Sequence, residues 1–403
     1  MNNAIRMSPS VLFTTLAMLA VLTTSSMAVF TVAVLAPEAA PDLGLDPKFI
    51  GPFTSVVYFI AAFVGAVTGG LIARFGAIRV CQSTMVAAAA AMLMLAAGHP
   101  LPALISACLL GFNYGPFNPA SAHILSGLSS PRWQPFVFSV KQTGVPLGGA
   151  LAGALVPLLV IGVGWQGAAI AVGAVGLVVA VLLQPLRARF DRDAGPVSVS
   201  ALINVWAPLR LVMIDPVLRR YTFTAFAYAG CQVSAGVFMV VYLTENHGLT
   251  LTLAGLILTC MQIGGFAGRL LWGAVSERYL SSRVMLVLLG IMAAVCLLLT
   301  AMMSGDWPRS AIAIVSTLLG MSIFGWNGVM LSEIATHSPP GMAAETTAGM
   351  QFVMFGGVVI FPVGFGLVAA SAGYATAFGA LAVLAVWGLA LLWRRPEDVT
   401  CET

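Results

Sequence analysis

Long apolar runs follow one another along this chain, and the charged residues collect in the short breaks between them. The runs at 11–35 and 168–183 contain no charge at all. Spans of a membrane barrel would alternate apolar and polar residues over about ten positions, whereas runs of this length suit helices. Twelve spans are predicted, at 11–36, 49–73, 79–98, 101–126, 134–162, 166–186, 219–245, 251–275, 282–304, 308–334, 343–369 and 372–393. Each can cross a hydrocarbon core of ~30 Å with some tilt. Most connections are short. The exception, 187–218, is polar, with Arg187, Arg189, Asp191, Arg192 and Asp193 followed by Pro196 and Pro208. It is expected to act as a linker between two six-helix bundles, 1–186 and 219–403. Asp215 before Pro216 has the pattern of an N-cap and a first-turn proline opening the seventh span.

Composition then fixes the solvent. The chain is 60% hydrophobic and only 8% charged, against roughly 25% charged residues in a soluble domain. Most of its surface is therefore expected to face the lipid bilayer. In lipid every backbone N–H and C=O needs an internal partner. The expected class is an all-α membrane protein with twelve transmembrane helices. The first run is too long for the core of a cleavable signal peptide and reads as the first span. The net charge of +4 forms no basic patch interleaved with aromatic residues, which argues against nucleic acid as a partner. The six cysteines are scattered, with no Cys/His cluster, so neither a metal site nor a disulfide framework is expected. No phosphate-cradling loop, nucleophile elbow or HExxH pattern is present, so no enzyme activity and no cofactor are expected.

The cations set the orientation. Of the 18 Lys and Arg residues, those at the termini or in even-numbered loops are Arg6, Arg74, Arg79, Arg132, Arg187, Arg189, Arg192, Arg210, Arg219, Arg220, Arg278, Arg283, Arg394 and Arg395. Only Lys48 and Arg309 fall in odd-numbered loops, and Lys141 and Arg269 lie within spans. This bias predicts that both termini and the central loop are cytoplasmic. Short loops and the lack of a transit peptide suit a bacterial inner membrane.

The two halves repeat one another. The fourth span reads GFNYGPFNPASAHI from Gly111 and the tenth GMSIFGWNGVMLSE from Gly320. Aligning these glycines places Asn118 on Asn327, and the same shift of 209 places Gln142 on Gln351. A shift of 204 places Gly69 on Gly273 and Arg74 on Arg278. Three matching sites in one order predict two pseudo-symmetric six-helix units, a mark of transporter folds.

The loop after the second span, GGLIARFGAIR from Gly69 to Arg79, resembles the loop motif of the major facilitator superfamily through Gly70, Arg74, Gly76 and Arg79, with Ala73 at the motif's acidic position. The second-half copy, GAVSER, keeps an acid as Glu277 beside Arg278. The fifth span, TGVPLGGALAG from Thr143, is similar to the Gly/Pro-rich fifth helix of many members. The resemblance covers the chain at the level of topology. It implies the major facilitator fold, with the loop motif clamping neighbouring helices near the cytoplasmic face. It also implies that the fifth and eighth helices line a central cavity where the halves meet.

Within the spans, Lys141 and Arg269 are the cations that need explaining. A charge in mid-membrane costs at least about 2.5–3.5 kcal/mol on insertion scales, so it faces a cavity or a partner, or its head snorkels to the interface. Both are expected in the inner third of the membrane, where two cations would form a site for an anion. Arg269 opens an Arg-x-x-x-Gly spacing that resembles the eighth-helix arginine of monocarboxylate and oxalate carriers, which implies a contact with a substrate carboxylate. Asn118, Gln142, Asn327 and Gln351 are expected either to join helices or to orient a ligand. Tyr114 and Tyr228 are further candidates to line the cavity. The combined expectation is a secondary transporter moving a small solute, an organic anion or carboxylate, by alternating access, with a proton as a possible coupling ion. The alternatives are an exporter of hydrophobic compounds with the same fold, and a non-transporting receptor or scaffold.

Overall fold

The computed structural model describes residues 9–126, 134–192, 195, 206–339 and 342–393. Arg6, Arg132, Asp193, Pro196, Arg394 and Arg395 lie outside these. The described chain is helical throughout. In order the helices are α1 (Pro9–Asp42), α2 (Ile50–Phe75), α3 (Ala77–Ala96), α4 (Pro100–Tyr114), α5 (Phe117–Ser126), α6 (Gln134–Gln142), α7 (Gly144–Leu182), α8 (Gln184–Phe190), α9 (Trp206–Ile214), α10 (Pro216–Glu245), α11 (Leu251–Arg278), α12 (Ser282–Ala301), α13 (Arg309–His337) and α14 (Ala343–Trp393).

Among the described residues, nine continuous helices are long and apolar enough to cross a membrane. Two of these contain a break from helical geometry. Gly164 in α7 has φ 72 and ψ 171, and Gly373 in α14 has φ 84 and ψ 164. Positive φ is open to glycine without the Cβ penalty that other residues meet. Each glycine divides its helix into two crossings. The fourth crossing is broken at Gly115 and Pro116 into α4 and α5, because proline lacks the N–H that would continue the ladder. The result is twelve crossings, as the apolar runs predict.

Local signals explain several ends. Asp215 caps α10, its carboxylate accepting from the amides of Val217 and Leu218, with Pro216 in the first turn. The region 187–218, read as linker, contains the helix α9; its Pro208 sits in the first turn, where a missing N–H costs nothing. α9 docks on α14, where Gly349 admits the carbonyl of Pro208.

α1 and α3 pack along α7, α2 and α3 along α4, α11 along α13, α10 along α14, and α12 along α13 and α14. First-half and second-half helices meet as α1 with α10, α2 with α14, and α7 with α11. Glycines make these meetings close. Gly153 and Gly255 lie against each other's backbone carbonyls, and Gly51 lies under the carbonyl of Pro362. Phe30 of α1 packs over Gly236 of α10. All these contacts are in the half of the molecule nearer Lys48. Toward the opposite face, which carries Arg74, Arg79, Arg187 and Arg278, α2 and α14 part and leave a space between them.

The loop between α2 and α3 carries its own finding. Ala73 stands where an acid is expected, and Asp191, 112 residues beyond Arg79, supplies a carboxylate there. It accepts from the backbone amides of Ile78 at 2.9 Å and Arg79 at 3.1 Å, capping α3. Gly76, at φ 91, makes room for it. The amide of Gly195 donates to the carbonyl of Ala73. Among the described residues Arg74, Arg79 and Arg278 form no ion pair within 4 Å. Gly70 is buried in α2. The side chain of Glu277 lies outside the described ones.

Candidate functional site

The site begins with a break in the fifth crossing. α6 ends at Gln142, and α7 starts at Gly144 after Thr143. The backbone at Thr143 stays in the right-handed helical region. The amide four residues on would therefore bond the Gln142 carbonyl, but that residue is Pro146, which has no N–H. The carbonyl of Gln142 is thus free within the membrane, where an unmatched acceptor is costly. Arg269 of α11 meets it: Nη1 donates to this oxygen at 2.6 Å, while Nε donates to the carbonyl of Phe324 on α13 at 3.1 Å. The guanidinium therefore ties a first-half helix to two second-half helices and is held in one orientation. Its remaining N–H groups have no partner among the described residues.

Those groups face a cavity of about 80 Å³ between the halves. Besides Arg269, its polar lining is Asn118, Gln142, Gln232, Asn327, Gln351 and the hydroxyls of Tyr58 and Tyr114. Its apolar lining includes Trp326, Phe355, Val145, Val233, Leu331, Met350 and Met354. Among the described residues no Asp or Glu lines it. The Tyr58 and Tyr114 rings meet edge to face at 5.4 Å. Asn327 and Gln232 share a hydrogen bond of 3.1 Å between their amides. A second space of about 260 Å³ leads toward the arginine-rich face between α2 and α14, and shares Asn118, Gln351, Met354 and Phe355 with the first. Together the two spaces run from the meeting of the halves toward the arginine-rich face.

Six of the eight residues singled out as substrate-binding line this one cavity: Arg269, Gln142, Asn118, Asn327, Gln351 and Tyr114. Lys141 lies behind it. Its side chain is 2% exposed, and Nζ donates to Asn118 Oδ1 at 3.1 Å and Ser121 Oγ at 3.0 Å. Tyr228 turns away into the second-half core, where its hydroxyl donates to the carbonyl of Leu286 and its ring packs behind Trp326. Tyr58 and Trp326 were not singled out. Each sits in a helix so apolar along its length that periodicity marks no inward face.

Closer to the Lys48 face the cavity is roofed by the packing of α7 on α11. Gln262 of α11 is fully buried there beside Gly149, and neither its amide oxygen nor its nitrogen has a protein partner among the described residues.

Comparison with known proteins gives a consistent result. The family model described as Major Facilitator Superfamily matches residues 16–362. A hexuronate transporter of Bacillus subtilis (strain 168) is 26% identical over 258 residues, 61% of this chain and 59% of that protein. An uncharacterized MFS-type transporter of Mycobacterium tuberculosis is 23% identical over 240 residues, 57% of this chain and 50% of that protein. The chain thus matches between half and three-fifths of these relatives' lengths. Among solved structures, a bacterial homolog of the human lysosomal transporter Spinster, in an inward-facing and occupied conformation, superposes with a TM-score of 0.76 at 15% identity, covering 96% of this chain and 97% of that one; that likeness is one of fold. Twelve helical crossings, a cavity where the halves meet and a family match over most of the length lead to one conclusion: this chain belongs to the major facilitator superfamily and is a multi-pass membrane protein.

Proposed function

We propose that the protein is a secondary carrier of a small organic anion, with Arg269 holding the substrate's carboxylate. One observation carries this reading. Arg269 has two donors fixed on carbonyls and the rest of its planar fork turned to a cavity that no Asp or Glu lines among the described residues. A guanidinium matches a carboxylate bidentately, and in a low-dielectric chamber that pairing is far stronger than in water. The hexuronate transporter of Bacillus subtilis, whose name specifies a sugar acid, is in keeping with an anionic substrate.

On this reading the bundles 1–186 and 219–403 rock about the cavity, with 187–218 joining them and both termini in the cytoplasm of a bacterial inner membrane. Since the helices part on the arginine-rich side, the described conformation opens toward the cytoplasm. Direction comes from an ion gradient, for which a proton is the candidate, or from a counter-substrate.

Uptake of radiolabelled carboxylates into proteoliposomes tests the proposal. Arg269→Lys keeps the charge and loses the fork, so transport should fall about ten- to a hundredfold, the equivalent of roughly 1.5–3 kcal/mol. If Arg269→Ala transports organic anions as well as the parent does, the proposal fails.

A further inference from the structure

Lys141 is a buried ammonium outside the cavity, and the anion reading gives it no task. Its surroundings are specific. Nζ lies over the faces of Phe117 and Phe138, 5.3 and 5.6 Å from the ring centroids, and donates to Asn118 Oδ1 and Ser121 Oγ. No carboxylate lies within 4 Å among the described residues.

An asparagine amide presents an acceptor at one end and a donor at the other, and left alone it can turn either end to a ligand. An ammonium has three donors and no acceptor. Lys141 therefore accepts only one arrangement of Asn118, with Oδ1 turned toward it. The Nδ2 end then has no protein partner among the described residues. Asn118 lines both spaces between the halves, so this NH₂ group is presented to the cavity. The cavity thus has donors facing each other: the Arg269 fork on the second-half side, and the locked Asn118 amide on the first-half side.

We propose that Lys141 is a positioning residue that locks Asn118 as a donor, so that the site selects acids carrying a second acceptor oxygen, as hydroxy, oxo or dicarboxylic acids do, over unsubstituted monocarboxylates. This rests on the anion reading of Arg269 and adds to it. An unsubstituted monocarboxylate, with its two oxygens on the Arg269 fork, satisfies one half of the molecule. A substrate with a second acceptor satisfies both, and leaves no donor facing an apolar chain.

The test uses the full-length protein in nanodiscs, with binding measured by competition and by ligand-induced thermal shift. The probes are acetate, glycolate, propionate, 3-hydroxypropionate, malonate, succinate and glucuronate. The best oxygenated acid should bind about tenfold or more tighter than the unsubstituted acid of the same length, the worth of one charge-free hydrogen bond in a dry site. Lys141→Met introduces the residue type found at the repeat-equivalent position, Met350. It should keep Arg269-dependent binding and lose most of the discrimination, while Lys141→Arg restores it. Asn118→Asp keeps a partner for Lys141 and removes the donor, so it should lose the preference as well. This second variant decides the matter if Lys141→Met fails to fold. If acids bind through Arg269 but unsubstituted and oxygenated members bind equally, or if either folded variant keeps the discrimination, the positioning role is overturned and the anion site stands. If no acid binds in an Arg269-dependent way, both readings fall.

Discussion

Lys48 and Glu245 meet across the face opposite the arginines, with Nζ 3.0 Å from Oε2. Lys48 precedes α2 and Glu245 ends α10, so the pair joins the first half to the second where the two are closed. Asp46 reaches the same ammonium at 3.5 Å, and the Tyr374 hydroxyl donates to Glu245 at 2.7 Å. Burial alone would lower the Lys48 pKa, but the carboxylates of Glu245 and Asp46 outweigh it and hold it above the usual lysine value. A raised lysine pKa adds stability that is complete below the ordinary lysine range and is lost only as pH rises through the raised value. The pair's cation is therefore intact at every physiological pH. Glu245→Gln should shift the protein toward opening on this face by about two- to fivefold, since such partly exposed pairs contribute ~0.5–1 kcal/mol. Maleimide labelling of a cysteine placed at Ser55, about two turns into α2 beyond Lys48 and against the Val359 carbonyl of α14, should accelerate by that factor; an unchanged rate removes the pair from the closure.

The free carbonyl of Gln142 makes a second prediction. Pro146→Ala supplies the missing N–H, which competes with Arg269 for the same oxygen. The fifth crossing should become no less stable. KM for a carboxylate should rise about three- to tenfold as the guanidinium loses its anchor, equivalent to roughly 1 kcal/mol. Proteoliposome kinetics beside a thermal melt would show both, and an unchanged KM would mean that the anchor does not matter.

At the α2–α3 loop, Asp191→Ala removes the cap of α3 and should lower stability by about 1–2 kcal/mol. Gly76→Ala forces φ 91 on an L-residue and drives its Cβ into the Asp191 carboxylate. The double variant should be less unstable than the two losses added, because the collision disappears once Asp191 is gone. Thermal unfolding of the four proteins closes this cycle.

His247, in the loop after α10, packs edge-on to Tyr242 at 4.8 Å, and neither ring nitrogen has a protein partner among the described residues. Burial pushes its pKa below the usual histidine value. A base whose pKa falls on folding contributes full stability above its unfolded value and loses it as pH drops through the window below. The melting temperature should therefore decline as pH falls from about 6.5. In His247→Phe that part of the decline should be absent. Melts between pH 5 and 7.5 would show it, and parallel curves for the two proteins would exclude it.

Much of this was legible in the chain. The lengths of the apolar runs predict the twelve crossings. The repeat shifts are visible again in backbone geometry: Gly164 and Gly373 are 209 apart with matching angles, and Gly44 and Gly248 are 204 apart with φ 68 and 60. Asn118, Gln142, Asn327 and Gln351 could be found from the repeat, which leaves open whether they join helices or orient a ligand; the structure brings all four to one cavity. What local pattern cannot give is direction around a helix that is apolar on every side. That is why Lys141 is expected at the ligand and found one layer behind it, and why Tyr228 points to Leu286 while Tyr58 reaches the cavity. Asp191 is hidden for a different reason: the acid missing at Ala73 returns from a segment more than a hundred residues away.

Gln262 has a further consequence. The packing of α7 on α11 around Gly149, Gly153 and Gly255 fits closely in shape, yet it encloses an amide whose two ends go unmet among the described residues. Each such atom forfeits roughly 1–3 kcal/mol relative to water. On the proposal that the halves rock, their parting on this side lets water reach Gln262 and returns that energy. The contact is therefore tight in geometry and shallow in free energy. A carrier that must separate this surface once in every cycle would turn over more slowly if Gln262 were replaced by a leucine that filled the same space and wanted nothing from water.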